Sequence, residues 1–583
     1  MDYWAFILML IFYFRIRKAW YFMNTPKPSS VTNLKDIIES NAKRYGDRPL
    51  YYYKSGKEVL TFSYAQMKQS VDAIGTTFSE MGIMGKNVAV IGDAHPYYMA
   101  TYYATANGGG AIIPLDKELD NETIASYMGI AEATAVVYTE SFNKRMPEIA
   151  KLAQGVKFFI PIIADVQLMP DESFIPLSAV IEKGQSALEN GNTSFTDITP
   201  DVEKCAAMLF TSGTTGTSKC VMLSQKNLAT SCNACVQATE FSAEDTFVSV
   251  LPMNHSYEVT TGHLALPCYG ASVFLNDSIK NALKNFSYFK PTSLILVPLF
   301  VETIHKRIWK EIEKKGIKKK VLFALKLSNA LRKVGIDLRN KLFKDIKAAL
   351  GGNIVKIVCG GAPLSRNLIS DFDAFGITIY EGYGITECSP FVSVNRPGGI
   401  KLGSVGPAVP GTTVKIDKSE SDETGEILVK GDNVMLGYYK NPEATSEVFT
   451  EDGWFRTGDL GYMDEDGYIF ITGRKKNLII LSNGKNIFPE ELEEHLSHNE
   501  IVAESVVVGR KNEHGEIVIS VIVYPNPELT EGKSKDEILE AVKEAVAETN
   551  KKLPLFKHIQ NVEIRDTEFE KTTTKKIKRF LVK

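Results

Sequence analysis

Hydrophobic and polar positions are grouped in blocks along most of the chain. Continuous apolar runs at residues 87–92 and 111–115 flank a helical pattern at residues 97–107. Uninterrupted apolar runs of this length are typical of strands buried on both faces, and the helix between them indicates parallel strands. The same alternation recurs at residues 135–138, 158–163, 272–275, 293–297 and 354–359. It predicts an α/β body over roughly the first 400 residues.

The pattern changes beyond residue 400. Short β-like runs separated by Gly, Pro and Asp predict a small β-rich subdomain at about residues 400–473. A helix is then predicted at residues 489–498, strands at 504–508 and 518–524, a helix at 535–551 and a strand at 561–565. The expected fold class is therefore α/β: a large N-terminal domain with layered sheets over residues 32–475, and a small mobile α+β domain over residues 476–583.

Twelve consecutive apolar residues stand near the N-terminus, at residues 3–14. Arg15, Arg17 and Lys18 follow them, and then Trp20 and Tyr21. A bilayer span needs about 20 residues, whereas a shorter apolar run with basic and aromatic neighbours suits the headgroup region. Residues 1–31 are therefore predicted to be a membrane-associating segment and linker, peripheral or monotopic on the cytoplasmic face of a membrane. A buried core helix stays open as the alternative.

The composition narrows the class of protein. The 583 residues are 44% hydrophobic and 23% charged, with a net charge of −3, which fits a folded globular protein and gives no overall field for nucleic acid. The seven cysteines are too sparse, and odd in number, for a disulfide framework, so we expect a reducing compartment. Cys232 and Cys235 form a single CxxC with no second ligand pair, and are predicted to be helical core thiols.

One region departs from the near-neutral average. Residues 301–350 carry fifteen Lys or Arg against five Asp or Glu, a local charge of +10. Such a region suits either an anionic lipid surface or a solvated helix face. The sequence leaves both interpretations open.

The candidate chemistry begins at residues 211–219, which read TSGTTGTSK and follow an apolar run. Glycines allow close backbone approach, hydroxyl and N–H groups donate to phosphate oxygens, and Lys219 adds a charge. The spacing differs from that of a Walker A loop. The segment predicts a phosphate-binding loop, although a Ser/Thr/Gly turn of this composition is often purely structural.

Three further motifs follow in order: YEGYGITE at residues 380–387, GWFRTGDLG at 453–461 and GRKKNLIILSNGKNIFPEELE at 473–493. Together with TSGTTGTSK, this set resembles the AMP-forming acyl-adenylate ligases from about residue 32 to the end of the chain. LPMNHSYE at residues 251–258 and KPTSLILVP at 290–298 are most similar to long-chain fatty acyl-CoA synthetases. The resemblance implies that ATP, with Mg²⁺, activates a fatty acid to acyl-AMP, and that the thiol of coenzyme A then displaces AMP.

The resemblance also implies roles for individual residues. The catalytic residues would be His255, Glu387 and Lys576, and Glu387 and Thr211 would hold the metal. Lys476 would be the hinge of the small domain, and Gly484 and Lys485 would line the coenzyme A tunnel. The implied ATP- and AMP-binding residues are Thr211, Ser212, Gly213, Thr214, Thr215, Gly216, Lys219, Gly361, Ala362, Pro363, Glu381, Gly382, Tyr383, Thr386, Asp459 and Arg474.

Other functions stay open at this level. The acceptor could be an acyl carrier protein in place of coenzyme A. An amino-acid-activating module would place an Asp where Tyr257 stands, and Glu258 is its neighbour. A non-catalytic lipid- or nucleotide-binding scaffold is the alternative from another class. Lys575 precedes Lys576 where the family usually has Gly, so the lysine assignment could shift by one residue.

Overall fold

The computed structural model describes residues 30–211, 218–420, 422–482, 485–572 and 576–582. The strands, in chain order, are β1 Pro49–Ser55, β2 Glu58–Ser63, β3 Asn87–Ile91, β4 Ile112–Leu115, β5 Ala133–Tyr138, β6 Phe158–Pro161, β7 Cys205–Thr211, β8 Lys219–Ser224, β9 Thr246–Ser249, β10 Ser272–Leu275, β11 Ser293–Leu296, β12 Lys356–Gly360, β13 Thr378–Gly384, β14 Phe391–Val394, β15 Thr412–Asp417, β16 Gly425–Gly431, β17 Gly437–Tyr438, β18 Phe455–Met463, β19 Ile469–Arg474, β20 Ile479–Ile480, β21 Asn486–Ile487, β22 Val502–Lys511, β23 Ile517–Pro525 and β24 Asn561–Ile564.

The α-helices lie between these strands. They are α1 Leu34–Tyr45, α2 Tyr64–Glu80, α3 Pro96–Asn107, α4 Asn121–Ile130, α5 Met146–Leu152, α6 Leu177–Glu189, α7 Gln225–Ala238, α8 Ser256–Glu258, α9 Ala282–Phe289, α10 Pro298–Lys314, α11 Lys318–Lys333, α12 Arg339–Leu342, α13 Lys344–Ala348, α14 Arg366–Ala374, α15 Pro442–Val448, α16 Pro489–Ser497, α17 Pro527–Thr530 and α18 Lys535–Asn550. A π-helix, Val259–Ala265, continues α8.

Two large sheets form the main body. One has the order β17-β8-β7-β4-β3-β5-β6, with β3 parallel to both β4 and β5, and the other has the order β14-β13-β12-β11-β9-β10-β1-β2. A core between the sheets includes residues of α2, α3 and α7. The predicted strands at residues 87–92 and 111–115 are confirmed, and so is their parallel pairing.

The burial of β3 explains why its sequence has no polar alternation. Val88 and Val90 point into the core between the sheets, whereas Ala89 and Ile91 belong to a second core on the other side. A strand covered on both faces has no position for a polar side chain. Local runs of this kind do not say which sheet a strand joins, so the pattern predicted layered sheets but not which strands form each of them.

The chain after residue 400 adds two smaller units. Strands β15, β16, β18 and β19 form an antiparallel sheet. Strands β22, β23 and β24 form a mixed sheet, in which β23 is antiparallel to β22 and parallel to β24, and this sheet packs with α16 and α18 around its own core. The predicted strands and helices of this part are confirmed. Cys232 and Cys235 are both buried in α7, as predicted. Within the described ranges, no helix is both long and apolar enough to cross a bilayer.

Candidate active site

The TSGTTGTSK segment begins with Thr211, the last residue of β7, and ends with Lys219, the first residue of β8. Thr211 and Lys219 face each other across the two strands, and the Thr211 hydroxyl donates to the Lys219 carbonyl at 3.4 Å. The ammonium of Lys219 lies 4.6 Å from the centroid of the Tyr438 ring. Five predicted phosphate-binding residues of the segment lie outside the described residues: Ser212, Gly213, Thr214, Thr215 and Gly216. The antiparallel pairing thus brings both ends of the segment together, with Lys219 beside Tyr438.

Glu387 lies in the 3₁₀ turn that follows β13. Its Oε1 accepts a hydrogen bond from the Tyr438 hydroxyl at 3.0 Å, and Tyr438 itself belongs to β17, which pairs with β8. The hydroxyl of Thr386 lies 3.2 Å from that of Ser256. Hydrogen bonds therefore link the YEGYGITE motif to Tyr438, on the strand that pairs with β8, and to Ser256 of the LPMNHSYE segment.

The buried carboxylate of Asp459 accepts hydrogen bonds from two of the predicted nucleotide-binding residues. The Tyr383 hydroxyl donates to its Oδ2 at 2.6 Å, and Arg474 Nε donates to its Oδ1 at 2.6 Å. Asp459 and Arg474 are cross-strand partners on β18 and β19. Because each carboxylate oxygen accepts more than one hydrogen bond, both oxygens keep a lone pair for a ribose hydroxyl.

The residues predicted around adenine lie at the ends of neighbouring parallel strands. Gly361, Ala362 and Pro363 follow β12 and are exposed, while Glu381, Gly382 and Tyr383 belong to β13, which pairs with β12. Glu381 is buried. Desolvation, followed by the nearby charge of Glu494, raises the pKa of Glu381 from 4.5 to about 7.

Lys576 comes from the C-terminal end of the chain. Its amide donates to the Thr572 hydroxyl at 3.1 Å, and its carbonyl accepts from the Thr572 amide at 2.8 Å. The residue is exposed, and desolvation, followed by the charge of Arg474, lowers the pKa of its ammonium, while Asp459 opposes this shift. Lys576 thus lies within electrostatic range of the Asp459 and Arg474 pair.

The tail that carries Lys576 is tied to its own domain on both sides. Before the lysine, Lys571 pairs with Glu504, whose Oε2 also accepts from the amide of Phe569 at 3.0 Å. After it, Arg579 pairs with Glu493. These contacts hold the tail to the C-terminal unit on both sides of Lys576.

His255 precedes α8 and is half-buried. Desolvation lowers the pKa of its ring, Lys576 lowers it further, and Asp116 acts in the opposite direction. A neutral imidazole next to a lysine is suited to receive an anionic group without adding a second charge. His255 therefore joins the same electrostatic neighbourhood as Lys576.

The predicted hinge follows β19. Lys476 lies in a 3₁₀ turn, Lys475–Asn477, where desolvation and Arg474 lower its pKa to about 8. Its neighbour Lys475 pairs with the buried Glu426 at 2.9 Å. On the far side of the turn, Asn477 donates to Glu490 Oε1 at 2.6 Å. One ion pair and one hydrogen bond thus hold the turn from its two sides.

Of the two predicted tunnel residues, the structure describes Lys485. Lys485 lies 4.0 Å from the centroid of the Phe556 ring, within the C-terminal unit. Gly484 lies outside the described residues.

Sequence reasoning missed several residues that hold this site together. Tyr438 and Ser256 position Glu387 and Thr386, and Glu426 accepts the Gly458 amide at 3.2 Å beside Asp459. Tyr438 is 51 positions from Glu387, so no local pattern connects them. The Gly-Tyr pair at 437 and 438 was the only signal, and a two-residue strand is too short to give a period.

Comparison with known proteins identifies the family. The family model described as "AMP-binding enzyme" matches residues 38–439, and the model of the AMP-binding enzyme C-terminal domain matches residues 476–582. The chain therefore belongs to the AMP-binding enzyme family.

Curated relatives cover most of the chain. The long-chain-fatty-acid–CoA ligase FadD15 of Mycobacterium bovis is 29% identical over 534 residues, which are 88% of this chain and 85% of that protein. Human long-chain-fatty-acid–CoA ligase 1 is 30% identical over 500 residues, 80% of this chain and 70% of that protein. A chloroplastic long-chain-fatty-acid–acyl-carrier-protein ligase of Arabidopsis thaliana is 26% identical, with 88% and 78% covered.

Solved structures share the fold. The anthranilate CoA ligase AuaEII, in complex with anthranoyl-AMP, matches with a TM-score of 0.74 at 19% identity, over 96% of this chain and 97% of that one. ATP-bound MatB from Rhodopseudomonas palustris matches with a TM-score of 0.70 at 23% identity, over 94% and 97%. The expected fold class is confirmed.

Proposed function

We propose that this enzyme activates a fatty acid with ATP to acyl-AMP, releasing pyrophosphate, and then transfers the acyl group to the thiol of coenzyme A. The observation that carries the proposal is the buried Asp459 carboxylate, held by Tyr383 and Arg474, with Lys576 of the C-terminal unit within electrostatic range of it. A lysine placed there offsets the repulsion between a fatty acid carboxylate and the α-phosphate.

The other groups fit the two substrates of adenylation. Asp459 would accept hydrogen bonds from the ribose hydroxyls. The TSGTTGTSK segment at residues 211–219 would bind the β- and γ-phosphates. His255, kept neutral by its lowered pKa, would face the acyl carboxylate. After adenylation, the C-terminal lid domain at residues 476–583 would turn about Lys476 and bring Gly484 and Lys485 to the site as walls of the pantetheine tunnel.

The donor set is compatible with Mg²⁺. Glu387 uses Oε1 for Tyr438, and no side chain in the described ranges bonds its Oε2. Thr211 adds a hydroxyl. A hard cation that also bridges substrate phosphates needs only one or two protein oxygens, so Glu387 and Thr211 suffice, and the ion would neutralise phosphate charge.

The position of Glu258 bears on the class of carboxylic acid that the enzyme activates. Its carboxylate is buried, accepts a hydrogen bond from Ser249 and lies 3.6 Å from His263 Nε2. Tyr257 donates its hydroxyl to the Val358 carbonyl at 3.1 Å. Because Glu258 is turned into the core, no carboxylate is offered to a substrate ammonium at this position. This favours a fatty acid over an amino acid, in agreement with the names of the relatives.

The test is a pair of assays on the full chain. Pyrophosphate release is measured with carboxylic acids from short to very long, and thioester formation is measured with coenzyme A and, separately, with an acyl carrier protein. Release that depends on a fatty acid, together with a CoA thioester, is expected. Thioester on the carrier protein alone would replace the acceptor with the one named in the Arabidopsis relative, and release with no carboxylic acid would contradict the proposal. The Glu387→Ala variant, assayed in the same way, gives the background rate of pyrophosphate release.

We further propose that the enzyme works at the cytoplasmic face of a membrane, held there by residues 1–31. Most of that segment lies outside the described residues, and the proposal is supported by its twelve apolar residues and basic flank. Deleting residues 1–23 is expected to reduce flotation with anionic vesicles while leaving adenylation of a soluble medium-chain acid intact. Loss of folding on truncation would instead make the segment a core element.

A further inference from the structure

Helix α11 has two apolar faces. Val321, Leu325 and Ser328 are buried against the core that also contains α10 and α14. On the opposite side, Phe323, Leu327 and Val334 are 68%, 41% and 69% exposed. With Ala330, which is also exposed, these three recur at the spacing of a single helix face, i, i+4, i+7 and i+11. We call Phe323, Leu327, Ala330 and Val334 the outer stripe.

Lysines flank the outer stripe. Lys319, Lys326 and Lys333 follow one another at intervals of seven along one of its edges, and all three are exposed. Their ammonium groups form no ion pair with an acidic side chain in the described part of the chain. The segment 314–336 contains eight Lys or Arg and no Asp or Glu.

Two acidic groups beside this helix are paired with cations other than the three flanking lysines. Glu313 pairs with Lys318 at 2.5 Å. Asp373 pairs with Arg332 at 2.6 Å and with Arg339 at 2.9 Å. The positive charge beside the outer stripe is therefore not neutralised by the protein itself.

We propose that the outer stripe of α11, with Lys319, Lys326 and Lys333, is a docking surface for an anionic lipid bilayer. A solvated helix face has no need of an exposed phenylalanine and three further apolar residues in register, whereas the interfacial region of a bilayer takes up apolar side chains and attracts the lysines around them. The surface includes none of the residues assigned to the candidate active site and none of residues 1–31, and the inference does not depend on the ligase activity.

The test places a reporter on the stripe itself, so that binding through any other segment does not interfere. Phe323→Cys is labelled with an environment-sensitive fluorophore in the full chain and mixed with vesicles of phosphatidylglycerol and phosphatidylcholine. Labelling is selective because six of the seven native cysteines are buried, and burial raises the pKa of the remaining one, Cys205, to about 12. Val166→Cys, at an exposed position in the turn after β6, is the control.

We expect a blue shift at position 323, with quenching by spin-labelled lipid, and no change at position 166. In the label-bearing chain, Lys319, Lys326 and Lys333 changed together to Gln should raise the vesicle concentration at half-maximal response at least tenfold, since each cation near an anionic surface contributes about fivefold. The same change at the exposed lysines Lys533, Lys551 and Lys552 should leave it unaltered.

Three outcomes would overturn the proposal. The label at 323 could stay in water although the chain binds the vesicles. It could report an apolar environment before vesicles are added, which would mean that another part of the chain covers the stripe. Finally, it could respond to an acidic carrier protein and not to vesicles, which would make the surface a protein interface.

Discussion

Asp459 and Glu387 on one side, and Lys576 on the other, are held in place by different parts of the chain. The two carboxylates are fixed within the main body and its β-rich unit by Tyr383, Arg474 and Tyr438. Lys576 instead sits on a tail anchored to the C-terminal unit. The nucleotide half of the site is thus pre-assembled, whereas the lysine depends on how the two units are placed.

The largest effect should come from removing the lysine. Lys576→Ala is expected to reduce acyl-AMP formation about 100- to 1,000-fold, because a charge aimed at the reacting phosphate is lost. Thioester formation from supplied acyl-AMP should survive. The two half-reactions are measured separately, with Lys578→Ala as the control and Lys575→Ala as a check of the register. If both half-reactions slow equally, Lys576 does not act in adenylation alone, and the assignment of a separate role to the lysine is wrong.

The pre-assembled half is tested by a graded pair of variants. Glu387→Ala should reduce adenylation about 100-fold, and Tyr438→Phe about 10-fold, since the second removes only the hydrogen bond that orients the carboxylate. The Mg²⁺ concentration at half-maximal rate should rise in both variants. Full activity of Glu387→Ala at saturating Mg²⁺ would remove this residue from the metal site.

The connection between the two halves is tested at the turn. Lys476→Pro should spare adenylation, because the residue lies in a 3₁₀ turn whose φ range proline can adopt. The thioester step should slow about 10- to 100-fold if it needs a second backbone setting that proline forbids. Lys475→Ala, which removes only the ion pair to Glu426, is the control. Unchanged turnover with coenzyme A would exclude Lys476 as the hinge.

The sequence predicted the pre-assembled half better than the lysine's surroundings. Motifs mark residues that touch substrate, so Asp459, Glu387 and Tyr383 could be named before their contacts were known. Their supports could not be named, because Tyr438 and Glu426 reach the site from distant strands and the pairs at Glu493 and Glu504 depend on tertiary packing. Periodicity predicted individual strands but not their assignment to two sheets, since a doubly buried strand reads alike in either.

The last prediction concerns stability and not activity, at the contact between the two halves, where Glu381 of β13 lies near Glu494 of α16. The folded-state pKa of Glu381, about 7, is above the ordinary value of 4.5. Below pH 4.5 the carboxyl group is protonated in both the folded and the unfolded chain and costs no stability. As the pH rises from about 4.5 through about 7, the unfolded chain loses this proton first, so the free energy of unfolding decreases. At about 1.4 kcal/mol per pKa unit, the wild type should lose at most about 3.5 kcal/mol relative to Glu381→Gln between pH 4.5 and pH 8. Urea unfolding of both proteins across this range measures the difference. Glu494→Gln should reduce that loss only slightly, because desolvation is the larger cause of the raised pKa. If the stability difference between wild type and Glu381→Gln does not change with pH, Glu381 ionises as freely in the folded protein as in the unfolded chain, and the prediction is wrong.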